Sequence, residues 1–285
     1  MRLGGPVSNF VNSEEWIQKL KNNGYSAAYW PLDNNQSETV IEDYSQAAIS
    51  EDIIIAEVGA WSNTISADNN VRDSAVSYCK ERLALSDRIG AKCCINITGS
   101  RGEQWDGPHV DNFTEDTFTL IVDTVRGIID SVKPKRTFYT LELMPWAFPD
   151  SAESYMEIIK AVDRKQFAVH LDPVNIISSP RSYYNNALII KECFNKLGPY
   201  IKSCHAKDIK ISGNLTVHLD EVIPGTGNLN YPVFIKEISK LGEDMTLMLE
   251  HLSTEEEYVK AATNIRKIAS ESGVIIKSLI GGHND

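Results

Sequence analysis

Short apolar or β-branched runs alternate along the chain with longer segments of helical periodicity, a pattern typical of parallel βα units. Eight runs are candidate strands: 2–6, 25–31, 52–58, 92–97, 137–142, 167–172, 200–205 and 246–250. Amphipathic segments alternate with them near 13–23, 36–49, 68–89, 114–132, 151–163, 185–198, 231–241 and 254–272. Eight units in 285 residues give about 36 residues per unit, the size expected of a TIM barrel.

We therefore predict a single (β/α)8 TIM-barrel domain over residues 1–285. No linker, low-complexity tract or internal repeat argues for a second domain. The alternative fold is an open doubly wound sheet. Neither a GxGxxG turn nor a GxxxxGK loop follows an early candidate strand, so the barrel is favoured.

The ends of the last four candidate strands carry potential metal ligands. These residues are Glu142, Asp172, His205 and Glu250. In a TIM barrel the chemistry lies at the carboxyl ends of the strands, so the four side chains should meet at one rim. Strand alternation places His170 one layer below Asp172 on the same inward face, as a hydrogen-bond partner rather than a ligand. His251 should point away from Glu250.

Three carboxylates pointing into one pocket repel each other, and a divalent cation removes that conflict. Three oxygen donors and one imidazole suit Mn²⁺, Mg²⁺ or Co²⁺, with zinc as an alternative. A single acid or histidine at a strand end is more often a cap or an ion-pair partner. Four of them at corresponding positions favour one divalent metal ion.

Charge restricts the partners. The chain has 39 acidic residues against 28 Lys plus Arg, a net charge of −11. Proteins that bind nucleic acid through phosphates carry a basic face, and the one dense basic cluster is Lys133–Arg136. The composition therefore predicts no nucleic-acid partner.

The cysteines and the apolar runs indicate the cellular compartment. The five cysteines are odd in number and lack the paired spacings of a zinc site or a secreted disulfide framework, so they should be reduced core residues. No apolar run approaches the roughly 20 residues of a membrane span, and MRLGGPV is a strand candidate rather than a signal peptide. We predict a cytoplasmic protein without a membrane partner.

Five short motifs together resemble the xylose isomerase-like TIM-barrel superfamily, in particular its tagatose 3-epimerase-like sugar phosphate isomerases and epimerases. They are LELMPW with Glu142, HLDPVN with Asp172, SCHAKD with His205, LMLEH with Glu250, and PGTGN at 224–228. The resemblance covers nearly the whole chain, and its most specific parts are the H-x-K-D and G-x-G-N sequences.

The resemblance implies a metal-dependent isomerase or epimerase of a small sugar, sugar phosphate or keto-polyol, with the four strand-end residues as ligands. Glu142 and Glu250 would also be the catalytic acid/base pair, acting through an enediolate. A dehydratase of an inosose-like keto-polyol could use the same site, and a non-catalytic sugar-binding barrel is a third alternative. Many epimerases have a histidine three residues after the strand-six Asp, where this chain has Asn175.

Further residues are predicted to bind a small carbohydrate substrate, each with an ordinary structural alternative. Lys207 and Asn175 could bind substrate oxygens, and Arg101 could bind a phosphate or carboxylate. His218 lies on a long loop and could reach the substrate. Trp30, Trp61 and Trp146 lie at or beyond strand ends, where aromatic rings could cover the apolar side of a sugar. The sequence is compatible with a homo-oligomer.

Overall fold

Eight parallel strands close a barrel in the computed structural model, which describes residues 1–279. The barrel strands are β1 (Arg2–Gly4), β2 (Ala27–Tyr29), β3 (Ile54–Gly59), β4 (Cys93–Asn96), β5 (Tyr139–Glu142), β6 (Phe167–Leu171), β7 (Ile201–Ala206) and β10 (Thr246–Leu249). Strands β8 (Asp208–Ile211) and β9 (Leu219–Val222) form a separate antiparallel sheet. Around the barrel the order is β1-β10-β7-β6-β5-β4-β3-β2, which confirms the predicted (β/α)8 fold.

The helices alternate with the barrel strands as the periodicity predicts. Those in the described residues are α1 (Ser13–Asn22), α2 (Glu38–Ser50), α3 (Asn69–Ile89), α4 (Glu115–Val132), α5 (Ala152–Val162), α6 (Pro180–Tyr184), α7 (Asn186–Leu197), α8 (Tyr231–Lys240) and α9 (Glu255–Glu271). Side chains that accept backbone N–H groups fix where they begin; Asn12 caps α1 and Thr254 caps α9. None of the helices between residues 1 and 279 has the length and apolar character needed to cross a bilayer.

Two compact units make up the chain. The first contains residues 1–56, 177–194 and 203 onward, and the second contains 57–176 and 195–202. Fully buried side chains of the first include Leu3, Leu20, Tyr25, Phe234 and Leu247. Fully buried side chains of the second include Leu83, Ile95, Ile121, Tyr139 and Tyr155. The predicted single domain over 1–285 stays a prediction, and residues 280–285 lie outside the described residues.

Tyr155 of helix α5 ties together the two strands that end in Glu142 and Asp172. Its hydroxyl oxygen accepts the Leu141 N–H at 3.0 Å and lies 2.6 Å from the Leu141 carbonyl oxygen and 2.8 Å from that of Ala168. Because Tyr155 is fully buried, these bonds are shielded from water. The carboxyl ends of β5 and β6 are therefore held in a fixed relation to the helix behind them.

Side-chain alternation follows the prediction within β5 and β6. Tyr139 points outward, where its hydroxyl contacts Cys79 Sγ of helix α3 at 3.5 Å. His170 points inward, and its Nε2 lies 3.0 Å from Glu57 Oε1 of β3. All five cysteines of the chain are buried and free of disulfide bonds, in agreement with the predicted reduced core.

The segment between β7 and α8 differs from the prediction of a long loop. It forms the hairpin β8–β9, whose register pairs Asp208 with Val222 and Ile211 with Leu219. Strand β8 alternates polar and apolar residues, and the connection that follows contains Gly213 and Asn214, residue types typical of a hairpin turn. His218 consequently lies at the exposed end of this hairpin, where Asn214 and Thr216 contact its ring nitrogens at 3.1 Å.

Candidate active site

Glu142 and Asp172 lie at the ends of neighbouring strands. Glu142 is the last residue of β5 and is 5% exposed, while Asp172 follows β6 and is fully buried. The Asp172 carboxylate accepts the Val174 N–H at Oδ1, 2.9 Å away, which closes a turn across Pro173. That turn leads into a short 3₁₀ helix, Val174–Ile176. There the side-chain amide of Asn175 donates to Glu142 Oε1 at 3.0 Å.

A buried pair joins His170 of β6 to Glu57 of β3, one layer below Asp172. His170 and Glu57 are both 0% exposed and contact each other at 3.0 Å. Their position agrees with the expectation that His170 is a hydrogen-bond partner below Asp172. The sequence analysis missed Glu57. The available signal was an acid inside the otherwise apolar strand β3, since a buried charge needs a partner.

Two basic side chains lie close to the same carboxylate oxygen of Glu250. His205 Nδ1 and Lys207 Nζ each lie 2.8 Å from Glu250 Oε1. The Glu250 side chain is 14% exposed, Lys207 is 4% exposed and His205 is fully buried. Burial alone would raise the pKa of the Glu250 carboxyl, but His205, Lys207 and His251 outweigh it and hold that pKa well below its usual value. Glu250 is therefore a carboxylate at neutral pH.

His251 does not point away from Glu250, so that prediction is wrong. Its φ of +58° places the backbone in the left-handed region, and strand alternation no longer applies there. The ring lies with Nε2 3.8 Å from Glu250 Oε2 and Nδ1 3.3 Å from Glu221 Oε2. The Glu221 contact is the main cause that raises the pKa of the His251 imidazole above its ordinary value; burial opposes it and Glu250 adds to it.

Asp208 explains why the H-x-K-D and G-x-G-N sequences occur together. Its carboxylate accepts backbone N–H groups at 2.8 or 2.9 Å, from Ile209, Gly225, Gly227 and Leu229. A Cβ on Gly227 would lie 2.3 Å from Asp208 Oδ1, so this close approach requires glycine. Gly225 has a φ of +84°, which also favours glycine. The Asp208 side chain therefore organises the loop instead of facing a substrate.

Replacing Asp208 by Asn should lower the melting temperature by about 5–10 °C. The amide keeps one oxygen but turns its NH₂ group towards two backbone N–H donors, which at the least cost are the part-buried pair of Gly225 and Gly227. Each donor left unsatisfied costs about 1–3 kcal/mol. Thermal unfolding followed by circular dichroism measures the change. Asp220→Asn is the matched control, because Asp220 is exposed on the same hairpin. An unchanged melting temperature for Asp208→Asn would show that the loop does not depend on this carboxylate.

Tyr29 belongs to the site although the sequence analysis did not select it. Its ring centroid lies 6.3 Å from that of His205, and its hydroxyl donates to the Leu249 carbonyl oxygen at 3.2 Å. The ring also packs against Ala27, Ala56 and Met248. A tyrosine in an apolar strand has the pattern of an ordinary core residue, so the sequence alone does not mark Tyr29 as part of a site. It places an aromatic surface beside His205.

The other predicted substrate-binding residues have varied surroundings. Trp30 directly follows β2 and is 6% exposed, whereas Trp61 is 42% exposed. The indole N–H of Trp146 donates to the Asp106 carbonyl oxygen at 2.6 Å, which anchors the loop after β4. Arg101 donates to the carbonyl oxygens of Ile65 and Ser66 at 2.7 and 3.3 Å. A contact between any of these residues and a substrate stays a prediction.

The four predicted metal ligands converge. One ligand atom from each of Glu142, Asp172, His205 and Glu250 lies within 4.8 Å of the others. A second group with the same spacing comprises Glu57, His170 and His205, so His205 is common to both. Three carboxylates and one imidazole, nearly all buried, form a cluster that could bind a metal ion.

Sequence and structure comparisons agree on the fold. Residues 15–268 match the family model described as xylose isomerase-like TIM barrel. No curated protein sequence matches the chain.

Three similar structures belong to proteins with different activities. Endonuclease IV from Thermus thermophilus has a TM-score of 0.72 at 11% identity, over 95% of this chain and 100% of that one. D-psicose 3-epimerase with D-tagatose from Clostridium cellulolyticum has a TM-score of 0.70 at 14% identity, over 96% and 100%. The probable 3-DHS dehydratase AsbF of petrobactin synthesis in Bacillus anthracis has a TM-score of 0.70 at 16% identity, over 94% and 98%. At such identities the likeness is one of fold.

Proposed function

Because the chain belongs to the xylose isomerase-like TIM-barrel family, we propose that it is a metal-dependent isomerase or epimerase of a small sugar, sugar phosphate or keto-polyol. The observation that carries the proposal is the convergence of Glu142, Asp172, His205 and Glu250 within 4.8 Å. The fold alone would not choose among activities, since the same barrel supports several chemistries.

The donor set fits a divalent cation. Three carboxylate groups crowded together need positive charge nearby, and oxygen-rich sites with one imidazole suit Mn²⁺, Mg²⁺ or Co²⁺. Glu142, Asp172, His205 and Glu250 would hold the ion. When bound, it would polarise the substrate carbonyl and stabilise the negative charge of an enediolate.

Glu142 and Glu250 are the proposed acid/base pair. A proton next to a carbonyl group is weakly acidic, so its removal needs a carboxylate held within hydrogen-bond reach. One glutamate takes this proton and the other returns one; return to the opposite face of the same carbon inverts that centre. Glu250 is available to take a proton because His205 and Lys207 keep it ionised, and the same contacts lower its proton affinity. Glu142 suits the role of base because its carboxylate lies at the end of β5, where one of its oxygens accepts a hydrogen bond from Asn175.

A dehydratase is the second candidate, and Lys207 is the observation that favours it. Its ammonium group lies 2.8 Å from Glu250 Oε1, almost completely buried. In a dehydration, a carboxylate takes the proton next to the carbonyl, a carbon–carbon double bond forms and the β-carbon–oxygen bond breaks. Lys207 could give a proton to the departing hydroxyl, which then leaves as water.

The substrate class follows from charge and from the aromatic ring near His205. Tyr29 could cover the apolar side of a small carbohydrate. The net charge of −11 disfavours a nucleic-acid substrate, since phosphate backbones would be repelled. The five free cysteines support a cytoplasmic location.

Products should distinguish the two candidate reactions. Protein purified without chelator is first analysed for bound metal and is then incubated with ketoses and inososes in D₂O. An isomerase or epimerase gives products of unchanged formula, with solvent deuterium at the reacting carbon when the transferred proton exchanges with solvent. A dehydratase gives products that have lost water. Mass spectrometry and NMR measure both, and a protein that binds no divalent metal and converts none of these compounds would contradict the proposal.

A further inference from the structure

Asn175 connects the turn after Asp172 to the side chain of Glu142. Its amide nitrogen donates to Glu142 Oε1 and to the main-chain oxygen of Leu143, each at 3.0 Å. The sulfur of Met144 lies 3.8 Å from the same nitrogen. One side-chain amide thus reaches both the carboxylate at the end of β5 and the backbone directly beyond it.

The orientation of this amide is dictated by its neighbours. The oxygen and nitrogen atoms of an Asn side chain are nearly identical in shape. Which of them occupies each position is therefore decided by the groups that they face. The Leu143 carbonyl oxygen can only accept a hydrogen bond, which requires the NH₂ group on this side. The second N–H is then directed at Glu142 Oε1. Asn175 therefore donates one hydrogen bond to the backbone at Leu143 and the other to the side chain of Glu142.

The turn that carries Asn175 is itself built by a predicted metal ligand. Asp172 Oδ1 accepts the Val174 N–H at 2.9 Å, and Pro173 restricts the backbone between them. Both carboxylates at the ends of β5 and β6 thus have one oxygen held by a hydrogen bond from the same short segment, Pro173–Asn175. A bond to one oxygen restricts the rotation of a carboxylate, which limits where its other oxygen can lie.

We propose that Asn175 is a positioning residue that orients the carboxylate of Glu142 for metal binding and proton transfer. The inference rests on the proposed function of Glu142. An asparagine suits this place because it is neutral and offers two N–H groups to two acceptors. An aspartate here would bring a negative charge against Glu142, and a histidine would offer a single N–H at the corresponding atom.

The affinity for Mn²⁺, measured by calorimetry, tests the proposal without a substrate. Asn175→Leu keeps the branched shape of the side chain but removes both donors, so its Kd for Mn²⁺ should rise about 10- to 100-fold, as is typical when a residue that orients a ligand is lost. Asn175→His restores one donor and should return the Kd to within about threefold to tenfold of wild type. Asn186→Ala is the matched control, since Asn186 is buried and its side chain bonds only to backbone groups. It should lower the melting temperature but leave the Kd unchanged.

Two results would overturn the positioning role. One is a folded Asn175→Leu variant with the Mn²⁺ affinity of wild type. The other is equal impairment of the Leu and His variants, which would indicate a role in shape alone. Crystal structures of the metal-free wild type and Asn175→Leu show the rotamer of Glu142, and this comparison tests the inference even if the proposed function is wrong. If wild type binds no Mn²⁺, a Glu142 side chain in the same rotamer in both structures refutes the inference, and a displaced one supports it.

Discussion

Glu142→Gln and Glu250→Gln are each expected to lower turnover by a factor on the order of 10² or more, while the protein stays folded. Glutamine keeps the size and most hydrogen bonds of glutamate but cannot take a proton. Each replacement therefore removes one member of the acid/base pair. The measurement is kcat on the substrate identified by the product screen, at several Mn²⁺ concentrations. Extra metal can compensate for weakened metal binding but cannot replace a missing base.

Glu103→Gln is the matched control for these two variants. Glu103 is exposed in the loop after β4, so its replacement should leave kcat within about twofold of wild type. Near-normal turnover in both active-site variants would refute the acid/base assignment. Lys207, buried beside Glu250, would then be the next candidate for proton transfer.

The barrel could be predicted because each of its strands and main helices carries its own local pattern. The apolar runs that end in Glu142 and Asp172 are short, bounded by turn residues and followed by amphipathic helices, and the structure contains strands at both places. The strand boundaries differ from the candidates: the candidate strand 25–31 pairs only over Ala27–Tyr29. Pairing depends on the neighbouring strand, which a local pattern does not contain.

The parts of the site that were missed depend on contacts between distant segments or on unusual backbone. The carboxylate of Asp208 accepts backbone N–H groups up to 21 residues away in sequence, and no local pattern contains those contacts. The φ of +58° at His251 reverses the direction that alternation predicts for its ring. Tyr29 lies inside an apolar strand, where a tyrosine resembles any other core residue. Glu57 also lies in an apolar strand, but its partner His170 is 113 residues away in sequence, so the local pattern does not contain it. Strand-end position, in contrast, selected four residues whose side chains lie within 4.8 Å of one another, and their role as metal ligands stays a prediction.

His205→Ala should weaken Mn²⁺ binding by at least about 10², since losing a residue that only orients a ligand already costs 10- to 100-fold. This variant removes an imidazole donor but leaves Glu142 and Glu250, the proposed bases, in place. Excess metal should therefore restore part of its turnover, in contrast to the two Gln variants. Calorimetry gives the Mn²⁺ affinity, and kcat across a metal titration gives the rescue. His109→Ala, in an exposed loop, is the control for loss of a histidine. A His205→Ala protein with wild-type Mn²⁺ affinity would exclude His205 as a ligand, whereas weak binding with no rescue at saturating metal would show that His205 also acts in the reaction itself.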